Sequence, residues 1–367
     1  MIKVLQIGIG NIAGGLEAFV MNYYRVLVSM DVQFDFLCMY DKIAYEEEIS
    51  ALGGHVFYVP NVKKDYIGYT KQLKEILKNT TYDAVHVNML SAANIVPLRI
   101  AHQMGVKKVI AHSHNSSCPG LVRKLMNWWN RPRVAKYATD KAACGELAGR
   151  WMFGDRSFES GQVTVLHNAI DAEKFCFSEK ERTDIRRRYG WDGKFVTGHV
   201  GRFDLQKNHE RIIDIFSELK KEKPNAVLCL VGQKDGLYEK IEEKVKTAGL
   251  ENDIFFVGKQ KNVNAFLSAM DLFLFPSLFE GVPFALIEAQ ASGLPCVASD
   301  TISEETLVFP EKVKYLSLKE ENRVWAGEIC KMGELPREKA GQLKEKLANK
   351  HFDIALEAVQ LKKLYQE

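Results

Sequence analysis

The fold is decided by the stretch LFLFPSLFEGVPFALIEAQASGLPCVAS, residues 272–299. It opens with an apolar run, passes through a loop with a glycine and two prolines, continues as a helix-like segment and ends in a second apolar run. Continuous apolar runs are typical of parallel strands that are covered on both faces. The stretch therefore predicts a strand, a helix and a second parallel strand of a doubly wound α/β sheet.

The same alternation of apolar runs and helix-like segments fills both halves of the chain. In the first half it predicts strands at 2–8, 33–39, 83–87, 107–112 and 139–144, with helices near 15–30, 65–79, 91–104 and 120–137. In the second half it predicts strands near 195–201, 226–231, 253–257, 271–275 and 295–298, with helices near 207–222, 236–248, 262–269 and 283–292.

This duplication predicts two doubly wound, Rossmann-like domains that face a central cleft. The first domain is expected at 1–172, the second at 173–340, and a helical segment at 341–367 is expected to pack back on the first. Because ligands of such sheets bind outside the carboxyl ends of the strands, functional side chains are expected in the loops that follow strands.

Composition excludes several classes of protein. The 367 residues are 46% hydrophobic and 26% charged, and the net charge of +3 argues against a nucleic-acid binder. Seven cysteines without a CxxC pair indicate reduced thiols, and the histidine spacing predicts no metal site. The N-terminus resembles a first strand and no apolar run is long enough to span a bilayer, so a cytoplasmic protein is expected.

The loop and helix within 275–300 carry two carboxylates, Glu280 and Glu288, separated by seven residues. Pro283 suits the first turn of a helix, which places Glu280 before the helix and Glu288 inside it, about 7.5 Å further along the axis. Carboxylates on both sides of a helix start suit hydroxyl groups on two parts of one ligand, although Glu288 in a structural ion pair is the alternative. The helix start also leaves free N–H groups, those of Phe284, Ala285 and Leu286.

Two further loops contain candidate anion-binding groups. In GIGNIAGGLE, residues 8–17, the Gly14-Gly15 pair precedes a helix and would let its backbone N–H groups approach an anion; a turn without a ligand is equally compatible. The same loop fits a dinucleotide fingerprint, but the acidic residue which that fingerprint requires is missing. In VGRFDLQKN, residues 200–208, Arg202 and Lys207 would neutralise a diphosphate, unless both are solvated surface charges.

The segment VIAHSHNSS, residues 109–117, places His112 and His114 at the end of a predicted strand. A zinc pair would lack a third ligand, so a hydrogen-bonding role is favoured. A histidine that is simply satisfied at a strand end is the alternative.

Five motifs in order make the chain resemble the retaining glycosyltransferases of family 4, which have the GT-B fold, and bacterial exopolysaccharide or capsule enzymes in particular. They are AGGLE at 13–17, AHSHN at 111–115, LHNAIDAEKF at 166–175, VGRFDLQKN at 200–208, and E-x7-E at 280–288. The chain departs from the family pattern at ACGELAG, which lacks a serine before Glu146, and after 299, where a glycine-rich turn is absent.

The resemblance implies that the second domain binds a nucleotide-sugar donor, with UDP the default nucleotide, and that the first binds a saccharide or polyprenyl-linked saccharide acceptor. It implies retention of configuration without a metal, a cofactor or a protein nucleophile. The implied donor contacts are Arg202, Lys207 and the Gly15 N–H on the diphosphate, Glu288 on the ribose, Glu280 on the donor sugar, Phe284, Ala285 and Leu286 on sugar or phosphate, and Val257 and Lys259 beside the base. His114, with His112 as a possible substitute, would lie near the transferred sugar.

A basic segment, LVRKLMNWWNRPRVAKYA at 121–138, lies between Asp83 and Asp140, an interval without any acidic residue. Its Trp128 and Trp129 beside arginines and lysines suit the headgroup level of an anionic membrane, so peripheral attachment to the inner face is one interpretation. A solvated helix with a core-facing stripe is the other.

Three other function classes remain open. A GT-B-fold sugar-nucleotide epimerase should carry more acid/base residues than His112, His114 and the two glutamates. An NAD-dependent dehydrogenase would leave Glu280 and Glu288 without a role, and a non-catalytic binding module would tolerate the loss of Glu280.

Overall fold

A computed structural model describes residues 1–118, 120–234, 236–338 and 340–366. The chain divides into two compact units, the first made of Met1–Ala169 with Ile354–Glu367, the second of Ile170–Asp353. These boundaries lie three residues before the predicted one at 172/173 and thirteen residues after the predicted one at 340/341. The predicted segment 341–367 is therefore divided between the units.

The first unit is a parallel sheet flanked by helices. Its seven strands are ordered β3-β2-β1-β4-β5-β6-β7. The strands are β1 (Ile2–Ile7), β2 (Val32–Cys38), β3 (Val56–Tyr58), β4 (Ala84–Met89), β5 (Lys108–Ser113), β6 (Asp140–Ala143) and β7 (Val163–Val165). The helices are α1 (Gly15–Leu27), α2 (Glu46–Ala51), α3 (Tyr66–Asn79), α4 (Val96–Gln103), α5 (Leu121–Tyr137), α6 (Glu146–Phe153) and α7 (Asp155–Glu159).

The second unit repeats this architecture with the strand order β10-β9-β8-β11-β12-β13. Its strands are β8 (Phe195–Val200), β9 (Ala226–Val231), β10 (Ile254–Gly258), β11 (Leu272–Phe275), β12 (Cys296–Ser299) and β13 (Val313–Leu316). Its helices are α8 (Glu179–Tyr189), α9 (His209–Glu222), α10 (Tyr238–Thr247), α11 (Val263–Ala269), α12 (Phe284–Ala291), α13 (Asn322–Met332) and α14 (Ala340–Asn349). The last helix, α15 (Ile354–Gln366), belongs to the first unit.

The predicted fold class, two doubly wound Rossmann-like α/β domains, is confirmed, and every predicted strand is present. The short strands β3, β7 and β13 were not predicted. β3 and β7 have three residues each and β13 has four, too few for a periodicity to show. The departure from the family pattern after 299 does not remove the last strand, because Val313 of β13 pairs in parallel with Cys296 of β12.

Both sheets reverse their strand order at one point, between β1 and β4 in the first unit and between β8 and β11 in the second. At such a point the loops from the two neighbouring strands leave in opposite directions and open a crevice. Apolar clusters cover both faces of the second sheet and one face of the first. No helix in the described ranges is both long and apolar enough to cross a bilayer.

Candidate functional site

The crevice of the second unit is formed by the loops that follow β8 and β11, and three hydrogen bonds join these loops. The Leu278 N–H donates to the Gln206 carbonyl (2.8 Å), and the Gln206 side-chain amide donates to the Phe279 carbonyl (3.0 Å). The Asn208 side-chain amide donates to the Pro276 carbonyl (3.0 Å). Lys207 lies between the anchored residues Gln206 and Asn208, and Glu280 directly follows the anchored residue Phe279, so these bonds hold the two side chains near each other.

Lys207 and Glu280 form an ion pair in this crevice, with 2.5 Å between Nζ and Oε1. Their side chains are only 15% and 10% exposed. The Lys207 ammonium also lies 4.7 Å from the centroid of the Phe275 ring. A Cβ on Gly201 would approach the Lys207 side chain to 3.0 Å, so glycine leaves room for the lysine stem. The structure thus brings together two residues that the sequence singled out in separate loops.

Arg202 lies at the same crevice but remains largely exposed. Its side chain is 49% exposed, and its guanidinium lies 3.3 Å from an oxygen of Asp204. Surface ion pairs contribute about 0–1 kcal/mol, so this contact holds the guanidinium only weakly. Arg202 is therefore free to exchange Asp204 for an incoming anion.

Helix α12 begins one residue later than the sequence suggested. Pro283 is the N-cap, with an extended backbone (ψ 127°), instead of the first helical residue. The prediction of a free Leu286 N–H is wrong, because this group donates to the Pro283 carbonyl (3.2 Å) and closes the first turn. Phe284 and Ala285 precede that closure, so their N–H groups remain the candidates for contact with a ligand.

Glu288 lies inside α12 and is half-buried. Among the described residues its carboxylate has no hydrogen-bond or ion-pair partner, so the alternative of a structural ion pair is not observed. Burial raises the pKa of this carboxyl group to about 7, and the positive charges of Lys174 and Lys207 oppose the shift. A partly buried carboxylate without a partner is available to a ligand.

The candidate base-binding loop follows β10, two strands away from β8 in the sheet. The Val257 carbonyl accepts a hydrogen bond from the Gln260 side chain (2.5 Å), and Gly258 has φ +73°. Lys259 is exposed. The loop therefore lies at the same carboxyl edge of the sheet as the loops that carry Lys207 and Glu280.

In the first unit, the glycine loop after β1 leads into α1. Gly14 is the N-cap in an extended conformation, without a capping side chain. No heavy atom of the described residues lies within 4 Å of a Cβ built on Gly15, so the helix start is open. Glu17, which the sequence did not single out by itself, accepts a hydrogen bond from the Gly10 N–H (2.9 Å) and holds the loop.

The two candidate histidines differ in accessibility. His112 is the fifth residue of β5 and is fully buried, whereas His114 follows the strand and is half-buried. Their ring centroids are 3.9 Å apart, and the His114 Nε2 lies 2.9 Å from the Asn88 Oδ1. His114 is therefore the histidine that a ligand can reach.

Sequence reasoning missed the buried polar residues around these histidines, namely His86, Asn88 and Tyr365. The signal was present in β4, AVHVNM, where His86 and Asn88 interrupt an apolar run at every second position. Side chains two residues apart point to one face of a strand, and a buried polar pair there requires partners.

Helix α5 exposes the apolar side chains that the sequence placed beside arginines and lysines. Leu121, Leu125, Trp128 and Trp129 are 75%, 58%, 71% and 60% exposed. The interpretation of these four residues as a core-facing stripe is wrong. An open cavity of about 400 Å³ adjoins the helix and is lined in part by Trp128, Arg131 and Lys141.

The comparisons with known proteins define the class of this protein. Residues 13–174 match the family Glycosyltransferase Family 4, and residues 181–360 match Glycosyl transferases group 1. The chain belongs to these glycosyltransferases and is an enzyme of that class; the epimerase and dehydrogenase alternatives have no support.

Individual relatives cover nearly the whole chain. It is 35% identical to EpsF of Bacillus subtilis strain 168, a protein named as a glycosyltransferase, over 96% of this chain and 93% of EpsF. It is 23% identical to the UDP-Gal:alpha-D-GlcNAc-diphosphoundecaprenol alpha-1,3-galactosyltransferase of Escherichia coli, over 84% of this chain and 81% of that enzyme. The crystal structure of Anabaena HepE with UDP and glucose shares the fold, with a TM-score of 0.81, 18% identity and full coverage of both chains.

Proposed function

We propose that this glycosyltransferase moves a sugar from a UDP-sugar to a saccharide or polyprenyl-linked saccharide during synthesis of a cell-surface polysaccharide, with retention of configuration. The observation that carries the proposal is the Lys207–Glu280 ion pair, held by two cross-linked loops at the crevice of the second sheet, with the unpartnered Glu288 eight residues further on. The Escherichia coli relative, named for a UDP-sugar donor and an undecaprenol-linked acceptor, supports both substrate classes.

Each group in the second unit has a proposed contact on the donor. Arg202 and Lys207 neutralise the diphosphate, since a guanidinium and an ammonium both pair with phosphate oxygens. Glu280 accepts hydrogen bonds from hydroxyls of the sugar. Three further contacts complete the assignment: Glu288 on the ribose hydroxyls, the Phe284 and Ala285 N–H groups on sugar or phosphate, and Val257 and Lys259 beside the base.

The proposed reaction needs no protein nucleophile and no metal. The bond between the anomeric carbon and the diphosphate oxygen breaks, and the acceptor oxygen bonds to the same face of that carbon. The acceptor proton passes to the departing diphosphate. Arg202 and Lys207 lower the barrier by stabilising the negative charge that develops on this leaving group.

In the proposed reaction the first unit binds the acceptor and supplies two further contacts to the donor. The uncapped start of α1 offers the Gly15 N–H to a phosphate oxygen, because helix N-termini attract anions. His114 is assigned to the transferred sugar because His112 is fully buried.

A thermal-shift screen against UDP-, GDP-, ADP- and TDP-sugars in EDTA tests the proposed donor class. Because a ligand that binds only the folded state stabilises it, UDP-sugars at about 100 times their Kd are expected to add about 2.7 kcal/mol. The Lys207→Ala variant should lose this shift, whereas Lys221→Ala, on the exposed face of α9, should retain it. A shift with another nucleotide only, or one that requires a divalent metal, would contradict the UDP or the metal-independent part of the proposal.

We also propose that helix α5 attaches the enzyme to the inner, cytoplasmic face of an anionic membrane. Its exposed tryptophans suit the headgroup level, and basic residues near an anionic surface each contribute about 1 kcal/mol. Arg131 and Lys141 line the adjoining cavity, where they would meet a phosphate headgroup. A polyprenyl-linked acceptor would be presented at the same surface.

Co-sedimentation with vesicles tests this attachment. We expect at least about tenfold stronger binding to vesicles with phosphatidylglycerol than to phosphatidylcholine alone, and loss of binding in Trp128→Ala/Trp129→Ala. The control Ile67→Ala removes another exposed apolar side chain of the first unit and should bind like the wild type. Equal binding to both vesicles, or to neither, would overturn the proposal.

A further inference from the structure

A cluster of polar side chains in the first unit has, apart from His114, no part in the donor contacts above. It lies beneath the carboxyl ends of β1, β4 and β5, with one member on the last helix, α15. Five of its six members are buried. The members are Gln6, His86, Asn88, His112, His114 and Tyr365.

One backbone carbonyl fixes the direction of the hydrogen bonds in this cluster. The Asn88 Nδ2 lies 3.3 Å from the Ile7 carbonyl oxygen and 2.9 Å from the Gln6 Oε1. Because a carbonyl only accepts, the amide NH₂ must lie on this side. The Asn88 Oδ1 then faces the His114 Nε2 at 2.9 Å, so this nitrogen carries the proton.

The same reasoning assigns the hydrogen bonds that lead from Gln6 through Tyr365 and His86 to His112. The Gln6 Oε1 accepts from Asn88, so the Gln6 Nε2 donates to the Tyr365 hydroxyl (3.1 Å). The hydroxyl hydrogen is then left for the His86 Nδ1 (2.7 Å). The His86 Nε2–H donates to the His112 Nδ1 (3.0 Å), which places the His112 proton on Nε2 as well.

Burial keeps the three histidines neutral, so their tautomers matter. It lowers the pKa of His86 and His114 to about 3 and the pKa of His112 well below its ordinary value. A neutral imidazole has one donor and one acceptor nitrogen. In His114 the donor is used by Asn88, and Nδ1 has no partner among the described residues.

We propose that Asn88 is a positioning residue that holds His114 as the Nε2–H tautomer, so that His114 offers only the lone pair of Nδ1 to a hydroxyl group of the sugar. The Tyr365 hydroxyl likewise holds His86, and through it His112, as the Nε2–H tautomer. The proposal rests on the proposed transferase function for the sugar, but the tautomers belong to the free protein. A sugar that lacks the hydroxyl facing Nδ1 leaves this acceptor unpaired and is rejected.

Long-range ¹H–¹⁵N correlation spectra of the imidazole nitrogens test the tautomers directly. In the wild type, His86, His112 and His114 should all carry the proton on Nε2. In Asn88→Leu, His114 should populate both tautomers, and kcat should fall about tenfold while KM for the donor changes less than about threefold. The matched control is Asn127→Leu, which removes another buried amide of this unit, bonded to the Ala92 N–H. Asn127→Leu should keep His114 as the Nε2–H tautomer and should retain most of the wild-type kcat.

A second pair of variants keeps the test valid if Asn88→Leu does not fold. In Tyr365→Phe, His86 and His112 should populate both tautomers while His114 keeps its own. Tyr24→Phe, which loses a hydroxyl bonded to the Leu52 carbonyl, should change none of them.

Three results would overturn the proposal. They are a wild-type His114 protonated on Nδ1, an unchanged His114 tautomer in Asn88→Leu, and equal losses of kcat in Asn88→Leu and Asn127→Leu. If the protein shows the predicted tautomers but transfers no sugar, the proposed function is refuted. The assigned directions of the hydrogen bonds would still be supported.

Discussion

Glu280→Gln is expected to reduce sugar transfer by about a thousandfold or more. The Glu280 carboxylate lies 2.5 Å from the Lys207 ammonium, and both side chains are largely buried. Glutamine keeps the shape of the side chain but removes the negative charge that pairs with Lys207 and that, in the proposed complex, accepts hydrogen bonds from the sugar hydroxyls. Loss of a single charge-stabilising contact in an active site costs about 10²–10³ in rate, and here two contacts depend on one carboxylate. The measurement is kcat at saturating UDP-sugar.

The control for this variant is Glu210→Gln in the same unit. Glu210 pairs with Lys240 at 2.6 Å, but these side chains are 43% and 66% exposed, so its loss should leave transfer within about twofold of the wild type. Thermal melts of both variants establish that they are folded. A Glu280→Gln enzyme that retains more than a tenth of the wild-type rate would contradict the catalytic assignment of Glu280.

The sequence predicted the central strands because their side chains are buried on both faces. Runs such as AVLCLV in β9 are apolar at every position, a pattern that a half-exposed strand or a surface helix does not show. At the sheet edges β3 and β7 are too short for this signal. In α5 the periodicity predicted an apolar stripe, but periodicity does not tell a core-facing stripe from an exposed one, and the structure exposes it.

Site residues within one motif were predictable, whereas pairings across the chain were not. Glu280 and Glu288 share a loop and helix, so their spacing alone indicated a ligand. The Lys207–Glu280 ion pair joins residues 73 positions apart, and the Tyr365–His86 hydrogen bond joins residues 279 apart. Such contacts arise when elements that are distant in the sequence pack together in the fold, which local sequence does not encode.

Glu288→Gln is expected to stabilise the protein at pH 8 and at the same time to weaken donor binding. Burial raises the pKa of this carboxyl group from 4.5 to about 7, so between these values the folded protein binds a proton that the unfolded chain has released. Folding stability from this group therefore falls as pH rises from about 4.5 to 7, by about 3 kcal/mol in total. Glutamine does not ionise, so the variant should gain this amount relative to the wild type at pH 8 and little at pH 4. Urea unfolding at the two pH values measures the difference.

The affinity for the donor should fall in Glu288→Gln, although the folding stability of the variant rises. In the proposed donor complex the ionised Glu288 accepts hydrogen bonds from the ribose hydroxyls. Hydrogen bonds to charged groups are worth about 1.5–3 kcal/mol, so the Kd for UDP should rise about tenfold or more in Glu288→Gln and in Glu288→Ala. In the wild type the affinity should increase as pH rises through 7, and in both variants this dependence should be lost.

The exposed carboxylate of Glu243 provides the control, since Glu243→Gln should alter neither stability nor affinity. Wild-type affinity for UDP in Glu288→Ala would disprove the ribose contact. We expect a site to keep a destabilising carboxylate when a ligand needs its charge. Variants of Glu288 that gain folding stability and lose donor affinity together would show that this carboxylate is retained for the donor.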